Sequence, residues 1–491
     1  MPQQFLHGVE VIELTSGSQP IRTLASSVIG LVGTAPNSQA AISATLVTGT
    51  VLSNNSITFT SALAGALGNG VYLKFVNPNA NSAALAVSVS GNVVTVSLAT
   101  GSTGAITSTA AQIITAFAAS TAASALVTAA NTSGSTGAGV VAAFSTTALS
   151  GGVSEAFPLN TPVLVTGSRA AAVLAGSGGT IQDALNHIFD QAGAAVIVVK
   201  VAVGADDSAT RANVIGTSSA KTGLWALTAA ESIVGVRPRI VIAPSFSNTL
   251  AVGTAMEAVA TRLRGVAIIA GPNTTDVDAI AYAQNFGPRA YVIDPGVQWV
   301  NSTGATVSGG ATARVAGVIS KSDNDRGFWW SPSNNQILNI VGTSRAVDFT
   351  LGDVNASANL LNAANVATII NQNGFRLWGN RCADGTFLSV RRTADLIEDS
   401  IQRAHLWAVD RNITKTYLGD VSESVNGYLR TLVNQGAILG GKCWPDPDLN
   451  TPANIAQGVV YFNFDFTPPY PAEHIVFQAI LTNSYIATLT A

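Results

Sequence analysis

Residues 436–443, GAILGGKC, come nearest to an enzyme motif in this sequence. They match the spacing GxxxxGK of a phosphate-binding loop, in which backbone N–H groups and the lysine hold phosphate oxygens. Such loops continue with a serine or threonine that binds Mg²⁺, but here Cys443 takes that position, and Trp444 and Pro445 follow in place of a helix. The pattern therefore favours the end of a helix that leads into a strand over a nucleotide site.

Other residues with chemical potential also have simpler interpretations. Residues 176–179 lack the third glycine of a dinucleotide loop because Ile181 stands there, which favours a short glycine linker. Residues 323–327 have too few carboxylates for an EF-hand and are predicted to form a solvated turn. The histidines lie at positions without zinc-binding spacing: His7, His187, His405 and His474. The members of a Ser/His/Asp triad need only meet in space, so the sequence leaves that open, but no GxSxG motif supports it. We therefore predict no catalytic residue, no cofactor and no metal.

The composition favours a large protein with a neutral surface. The chain has 491 residues, of which 47% are hydrophobic and 10% charged, and its formal charge is −3. Average soluble proteins have about 25% charged residues, so much of this surface must consist of Ser, Thr, Asn and Gly. Such a surface is expected where copies of the chain cover one another, or on a particle exposed to solvent. The low net charge disfavours direct binding of nucleic acid.

The cysteines and the N-terminus give no sign of secretion. Cys382 and Cys443 form neither a metal-binding spacing nor a disulfide framework and are predicted to be buried thiols. The first residues lack the basic region and apolar run of a signal peptide, and no stretch of about 18 apolar residues occurs. We expect the chain to fold in the cytoplasm without membrane insertion.

Residues 373–444 are rich in charged side chains, and the first of two helices predicted there contains the acids Asp395, Glu398 and Asp399. Thr393 is expected to cap this helix, with Asp395 in its first turn, where a carboxylate suits the helix dipole. Asp399 and Arg403 lie four residues apart on its polar face and can pair. Just before the helix, Arg376 and Arg381 are expected to bridge to neighbouring carboxylates.

The second helix is predicted from about Asp420 to Gly436, a natural left-handed residue at a helix end. One face is apolar and consists of Val421, Val425, Tyr428, Leu429 and Leu432. Its outer face carries Glu423 and Arg430.

Several long segments resemble the tail sheath proteins of contractile-tailed bacteriophages, the myoviruses. Three lie towards the C-terminus: GFRLWGNR (374–381), RRTADLIEDSIQRAHLWAVD (391–410) and YFNFDFTPPYPAEHI (461–475). Four precede them: HGVEVIEL (7–14), FPLNTPVLVTG (157–167), AAESIVGVRPRI (229–240) and YAQNF (282–286). The resemblance covers about residues 1–40 and 153–491.

The resemblance implies a structural subunit without enzymatic activity. Sheaths of this family are stacked hexameric rings around a tail tube, and their contraction drives the tube through the host envelope during genome delivery. The implied partners are other copies of the chain, the tail tube protein, and the baseplate and tail terminator at the sheath ends. The implied location is the virion tail, assembled in the host bacterial cytoplasm.

The chain is expected to be a multidomain α/β and α+β protein. We predict an N-terminal arm and first core strands in residues 1–40, and an inserted, mainly β surface domain in residues 41–152, where Lys74 is the only charged residue. From residue 153 to 365, nearly continuous apolar strands alternate with amphipathic helices, which predicts a central α/β domain. Residues 366–491 are predicted to form a C-terminal α/β domain that ends in an arm.

Both chain ends carry strand material beside flexible or proline-rich segments, which is typical of arms donated between subunits. The N-terminal arm is predicted at residues 7–14, with Val9, Val11 and Leu14 as its apolar residues. The C-terminal arm is predicted as a last strand in residues 474–482, with the apolar residues Ile475, Phe477 and Ile480. Arg403, Glu423 and Arg430 are candidates for the tube-facing contact, which in this family comes from the C-terminal domain.

Two alternatives remain open from the sequence. One is an α/β enzyme with a β accessory domain, which a bound nucleotide or metal in the purified protein would favour. The other is a different virion component such as a baseplate protein. Spontaneous tubular polymers would favour the sheath.

Overall fold

The computed structural model describes residues 21–301 and 303–489. They form two compact units. The larger unit contains the described residues up to Thr34, then Asn160–Arg169 and everything from Asp183 onwards. The smaller unit contains Ala35–Leu159 and Ala170–Gln182.

The β-strands of the described residues are mostly four to seven residues long, within the usual range for globular proteins. In chain order they are β1 (Ile29–Thr34), β2 (Thr45–Thr48), β3 (Ile57–Ser61), β4 (Tyr72–Val76), β5 (Ala86–Ser90), β6 (Val93–Ser97), β7 (Val127–Asn131), β8 (Phe144–Ala148), β9 (Val163–Thr166), β10 (Ala195–Val201), β11 (Ile240–Ile242), β12 (Val266–Ala270), β13 (Ala290–Ile293), β14 (Val297–Val300), β15 (Thr306–Gly309), β16 (Gly342–Thr343), β17 (Val366–Asn371), β18 (Phe375–Trp378), β19 (Gly440–Pro445) and β20 (Phe462–Thr467).

The α-helices range from single turns to 20 residues. In chain order they are α1 (Ala110–Ala119), α2 (Thr121–Ser124), α3 (Arg169–Val173), α4 (Ile181–Phe189), α5 (Asp207–Ile215), α6 (Ala230–Val234), α7 (Leu250–Leu263), α8 (Asp276–Ala283), α9 (Thr312–Arg326), α10 (Ser357–Ala363), α11 (Leu388–Ala404), α12 (Lys415–Asn434) and α13 (Pro452–Ala456). Short 3₁₀-helices occur at Gly65–Gly70, Gly223–Ala229, Leu406–Ala408 and Ser484–Leu489.

An eight-stranded sheet forms the centre of the larger unit, in the order β18-β17-β13-β12-β11-β1-β10-β9. The six inner strands are parallel, and β9 and β18 run antiparallel at the two edges. β1 lies inside the sheet, where Leu31 is paired with Val198 of β10 on one side and Ile242 of β11 on the other. All six residues of β1 are buried, as expected for a strand in a sheet that helices cover.

Helices pack on this sheet through apolar side chains. Val214 of α5, Met256 and Val259 of α7 and Ala279 of α8 belong to the same buried cluster as the strand residue Ile269. α9 also contacts β11 and β12, through residues outside that cluster. Each fully buried aliphatic side chain contributes about 1.5–3 kcal/mol to folding, so this cluster contributes strongly to stability. The predicted α/β core is therefore confirmed.

The last part of the larger unit contains the helices α11 and α12 and the two-stranded antiparallel sheet β19–β20. One face of α12 is buried, and it consists of the predicted residues Val421, Val425, Tyr428, Leu429 and Leu432. Of these side chains, Val425, Tyr428, Leu429 and Leu432 share a cluster with Leu396 and Ile397 of α11 and Cys443 of β19. Cys382 and Cys443 are both buried free thiols, as predicted.

Both helices begin earlier than the sequence suggested. Thr393 is inside α11, buried, and its hydroxyl donates to the carbonyl of Ser389, so the predicted cap is wrong. α12 begins at Lys415 because the hydroxyl of Thr414 accepts the N–H of Tyr417 and caps the helix there. Gly436 does follow the helix with a φ of 77°, the left-handed conformation predicted for it.

The core of the smaller unit lies between two β-sheets and the helices α1 and α2. One sheet has the order β2-β3-β7, and the other has the order β5-β6-β4-β8. Phe59 and Phe75 meet edge to face in the core with ring centroids 5.9 Å apart, whereas Tyr72 is exposed. Main-chain bridges join Ile42 to Val153 and Thr45 to Ser150, so both ends of its main segment leave side by side. The division into four domains at residues 40, 152 and 365 stays a prediction.

Candidate assembly interface

The β19–β20 sheet has an open edge on β20. The side-chain amide of Asn426 on α12 bonds both the N–H and the C=O of Cys443, at 2.7 and 3.0 Å, so these groups point away from β20. Cys443 is paired with Phe464 in the antiparallel register. Because outward and inward groups alternate along such a ladder, the N–H and C=O of Phe462, Phe464 and Phe466 face the outer edge of β20. Within the described residues no strand is paired with that edge.

Among the described residues, no strand pairs with the predicted C-terminal arm. Residues 474–482 form no strand in the structure, which differs from the strand predicted there. Ile475, Phe477 and Ile480 are 66%, 90% and 85% exposed. Large apolar side chains this exposed in a row usually mark a contact with another molecule.

The root of this arm is held firmly on the body. Arg381 binds the Glu473 carboxylate with two nitrogens, Nε to Oε1 at 3.0 Å and Nη2 to Oε2 at 2.6 Å. The same guanidinium lies 4.0 Å from the ring centre of Phe387, whose ring in turn contacts that of Tyr470. The predicted carboxylate bridge is thus confirmed for Arg381. For Arg376 it is wrong, because its guanidinium donates to the main-chain carbonyls of Gln372 and Asn334.

The N-terminal end of the described chain lies on the helix pair α11–α12. Ile21 and Leu24 pack against the α11–α12 cluster. The hydroxyl of Thr23 is 3.0 Å from that of Tyr428, and the N–H of Leu24 donates to Ser400 at 3.3 Å. The predicted N-terminal arm with Val9, Val11 and Leu14 lies outside the described residues.

A row of ion pairs fastens α11 to the N-terminal edge of the large sheet. Its acids Asp395, Glu398 and Asp399 stand at helical spacing on one face. Their partners are arginines that precede three adjacent strands: Arg289 before β13, Arg264 before β12 and Arg239 before β11. Arg289 binds Asp395 with both terminal nitrogens at 2.6 and 2.7 Å, and Arg264 contacts Glu398 at 2.9 Å.

Asp399 is the most connected acid of this row. Its side chain is buried, and Arg239, Arg237 and Arg403 all lie within ion-pair distance. Burial alone would raise the pKa of Asp399, but the hydrogen bond and charge of Arg239, with the charges of Arg237 and Arg403, outweigh it and hold the pKa below its ordinary value. The predicted Asp399–Arg403 pair is present, although Asp399 faces the core rather than solvent.

The tube-facing candidates differ in their availability. Arg403 pairs with Glu231 as well as Asp399, so its charge is already used inside the chain. Glu423 and Arg430 are exposed on α12 and pair only with each other among the described residues. Their role in binding a tube stays a prediction.

The predicted solvated turn at residues 323–327 is wrong. These residues form the last turn of α9 and the glycine that follows it. Asp323 is buried and paired with Arg392 of α11, whose guanidinium also donates to the Ser26 carbonyl at 3.1 Å. The acid is therefore a second attachment point for α11, and sequence spacing alone could not reveal a partner 69 residues away.

The phosphate-loop pattern is a helix end followed by a strand. Residues 436–443 leave α12 and enter β19, as the simpler interpretation predicted. In the described part of the chain, no group of three or more His, Cys, Asp or Glu side chains is placed to hold a metal ion. None of the described helices combines the length and apolar character that crossing a membrane requires.

His187 is a buried histidine in the packing between α4 and β14. Its ring meets that of Trp299 edge to face with centroids 4.5 Å apart, and Arg314 lies 4.7 Å from the same indole centre. Burial, together with the nearby charge of Arg314, lowers the pKa of His187 to about 3.

We expect His187 to make the fold sensitive to acid. The unfolded state takes up a proton near the ordinary pKa of about 6.5, whereas the folded state resists until far lower pH, so stability falls as pH drops below about 6.5. Between about pH 6 and 4, the unfolding free energy of the native chain should fall more steeply than that of His187→Gln, by up to about 1.4 kcal/mol per pH unit. Denaturant titrations at several pH values measure this, and equal slopes would contradict it.

Solved structures define the class of fold. The chain superposes on the contracted helical sheath of the anti-feeding prophage with a TM-score of 0.53 and 21% identity, over 66% of this chain and 89% of that one. It also matches the contracted sheath of an extracellular contractile injection system, PVC, with a TM-score of 0.52 and 18% identity, over 67% and 89% of the two chains. The fold is that of a contractile sheath subunit.

Family models and relatives then give the family. The phage tail sheath protein central domain matches residues 219–383, the phage tail sheath C-terminal domain matches 383–482, and the N-terminal region of domain III of tail sheath protein Gp18 matches 141–201. A prophage major tail sheath protein of Pseudomonas aeruginosa is 44% identical over 336 residues, 67% of this chain and 87% of that protein. The tail sheath protein of Escherichia phage P2 is 36% identical over 68% and 88%, and that of Burkholderia phage BcepMu is 28% identical over 100% and 99%.

This chain belongs to the phage tail sheath family. It is a structural subunit of a contractile phage tail sheath. The comparisons give no support to the alternative of an α/β enzyme.

The smaller unit should be removable without loss of sheath formation. Residues 35–140 lie outside the three matched family models, and two of the relatives cover nearly all of their own length with about two thirds of this chain. Because Ile42 and Val153 are hydrogen-bonded neighbours, a Gly-Ser linker can replace residues 42–153. We expect this variant to form sleeves visible by negative-stain electron microscopy. A variant that folds but stays monomeric would contradict this expectation.

Proposed function

We propose that sheath subunits of this chain are joined by exchanged strands. Residues 474–482 would add a strand to the open β20 edge of another copy. One observation carries this proposal: within the described residues, the chain has both an exposed apolar arm and a strand edge with which no strand is paired. Strand addition supplies main-chain hydrogen bonds for affinity and side-chain pockets for specificity.

The N-terminal residues supply a second connection in this proposal. Ile21 and Leu24 place the N-terminal end of the described chain on the helix pair that backs β19–β20. Residues 7–14, with Val9, Val11 and Leu14 as apolar contacts, would extend from there to a further copy. Two donated segments per subunit would make a continuous mesh of linked chains.

The assembled mesh would form stacked hexameric rings around a tail tube. The baseplate and the tail terminator would bind the two ends, and assembly would take place in the host bacterial cytoplasm. On α12, Glu423 and Arg430 form an exposed charged pair suited to a tube surface, with Arg403 as a weaker candidate because Glu231 and Asp399 engage it.

Contraction would change how the rigid bodies pack while the donated strands stay in place. The ion pairs between α11 and the large sheet would transmit force from the strand mesh to the body of the subunit. The contracted lattice would have the lower free energy if it buries more surface than the extended lattice. The energy for contraction would then be stored in the extended lattice during assembly, and no nucleotide would be needed. Contraction would drive the tube through the host envelope during genome delivery, and the subunit would need no catalytic activity.

Removal of residues 1–16 tests the proposal. We expect the truncated chain to remain a soluble folded monomer, because the described contacts on the helix pair begin at Ile21. Polymerisation into sleeves should be lost because one of the two connections is missing. Size-exclusion chromatography and negative-stain electron microscopy measure both properties. Ordinary sleeves from this variant would show that the N-terminal connection is not needed.

A further inference from the structure

A large groove runs between the root of the C-terminal arm and the body of the larger unit. Its volume is about 1540 Å³. One wall is formed by residues 469–475 and Phe477, and the other by Trp329, Trp330 and the loop 349–354. We call it the arm-root groove.

The groove exists because the arm stands away from its own body. The bidentate Arg381–Glu473 pair and the contact of Phe387 with Tyr470 fix the arm at its root. In the described chain after Glu473, the apolar side chains are not buried in the groove. Phe477, which lines it, remains exposed. The root is therefore rigid, and the groove beside it is open.

Several residues that line the groove are apolar and reach solvent. Trp330 is 50% exposed and Leu351 is 79% exposed, and Val354 and Tyr470 are exposed beside them. Exposed apolar residues grouped around a concave surface usually mark a binding site for another molecule. Pockets for small molecules have volumes of about 300–1,000 Å³, so this groove suits a polypeptide surface better.

We propose that the arm-root groove docks a second copy of this chain, namely the copy that receives the arm. This inference rests on the proposed strand exchange. An arm that leaves a rigid root and pairs with another copy brings that copy next to the root, and the groove is the surface located there. Docking would cover Trp330 and Leu351 and set the angle at which the arm crosses between subunits.

Photocrosslinking in the assembled full-length chain tests the inference. A benzoylphenylalanine in place of Leu351 should give covalent dimers on irradiation of sleeves, with the crosslink mapped by mass spectrometry to a second copy. The matched control carries the same residue in place of Leu67, which is 74% exposed in the smaller unit. It should give at least tenfold fewer dimers.

A charge substitution gives a second measurement. Leu351→Glu should raise the protein concentration needed for sleeves at least tenfold, because docking would bury the carboxylate, whereas Leu67→Glu should leave it unchanged. Circular dichroism verifies that both variants are folded.

Crosslinks from position 351 confined to its own chain, or sleeves of Leu351→Glu at the native concentration, would overturn the inference. If the native chain and the Leu67 variants form sleeves through arms but position 351 stays solvent-exposed, only the groove is wrong. If the native chain forms no sleeves, the proposed strand exchange itself fails.

Discussion

A chain that ends after Glu473 is expected to remain a folded monomer and to lose sleeve formation entirely. The body should be unaffected because the removed apolar residues Ile475, Phe477 and Ile480 are exposed and bury nothing on their own chain. Assembly should fail because the open β20 edge of each copy then receives no C-terminal strand. Size-exclusion chromatography, circular dichroism and electron microscopy of the sedimented fraction measure these outcomes.

A point variant makes the same test in the full-length chain. Ile480→Asp removes one apolar contact, worth about 1.5–3 kcal/mol when buried, and also brings a charge to the interface. The protein concentration needed for sleeves should rise by about tenfold to 100-fold. Leu52→Asp, on an exposed leucine of the smaller unit, is the matched control and should behave like the native chain. Equal assembly by both variants would mean that the arm is not an interface.

Of the single substitutions considered, Asp399→Asn is expected to lower the free energy of unfolding the most. It removes the carboxylate that compensates Arg239, a buried arginine, and leaves Arg237 and Arg403 without one of their partners. Removal of one member of a buried pair typically costs about 3–5 kcal/mol because the remaining charge is unpaired. Denaturant unfolding of the purified monomer measures the loss.

An exposed ion pair on the neighbouring helix provides the control. Glu423→Gln breaks a pair with Arg430 in which both side chains are mostly solvent-exposed, so no measurable change is expected. If both substitutions have equally small effects, the α11 ion pairs do not hold this helix on the sheet.

The depressed pKa of Asp399 makes the stability of the fold depend on pH. The folded-state pKa of Asp399 is depressed, so its contribution is fully present above the ordinary pKa of about 3.9 and is lost as pH falls through the folded pKa. The native chain should therefore lose more stability than Asp399→Asn on acidification below about pH 4. This window lies below the one expected for His187, so the two contributions can be separated.

Much of the fold could be predicted from the pattern of apolar residues. The buried strands β1 and β10 are nearly continuous apolar runs, with Lys200 in β10, and residues 41–152 contain the β-strands expected of a mainly β domain. Short-range patterns of this kind depend on burial by the local chain, and the sequence contains them directly. These patterns predicted correctly which segments are helices and which are strands, but they placed the starts of α11 and α12 too late in the chain.

The attachments of α11 could not be predicted in the same way. Asp395 was predicted in a first helical turn, Asp399 on a polar helix face and Asp323 in a solvated turn, yet each is buried against an arginine far away in sequence. One signal was available: arginines precede three consecutive strands, at positions 239, 264 and 289. Parallel strands bring their starting points to one edge, so these three charges had to meet an acidic surface.

The open edge of β20 could not be predicted from the sequence either. Phenylalanines alternate with polar residues in Phe462–Thr467, which is typical of a half-buried strand, but only the amide of Asn426 on Cys443 shows which main-chain groups face outwards. The arm was predicted as a strand because its residues favour one, and among the described residues it has no strand to pair with.

Cryo-electron microscopy of assembled sleeves tests the strand exchange most directly. We expect an added strand beside β20 whose side chains trace to Ile475, Phe477 and Ile480 of another copy, with main-chain hydrogen bonds across the subunit boundary. A map in which β19–β20 remains two-stranded, while residues 474–482 of every copy lie on their own body, would contradict it.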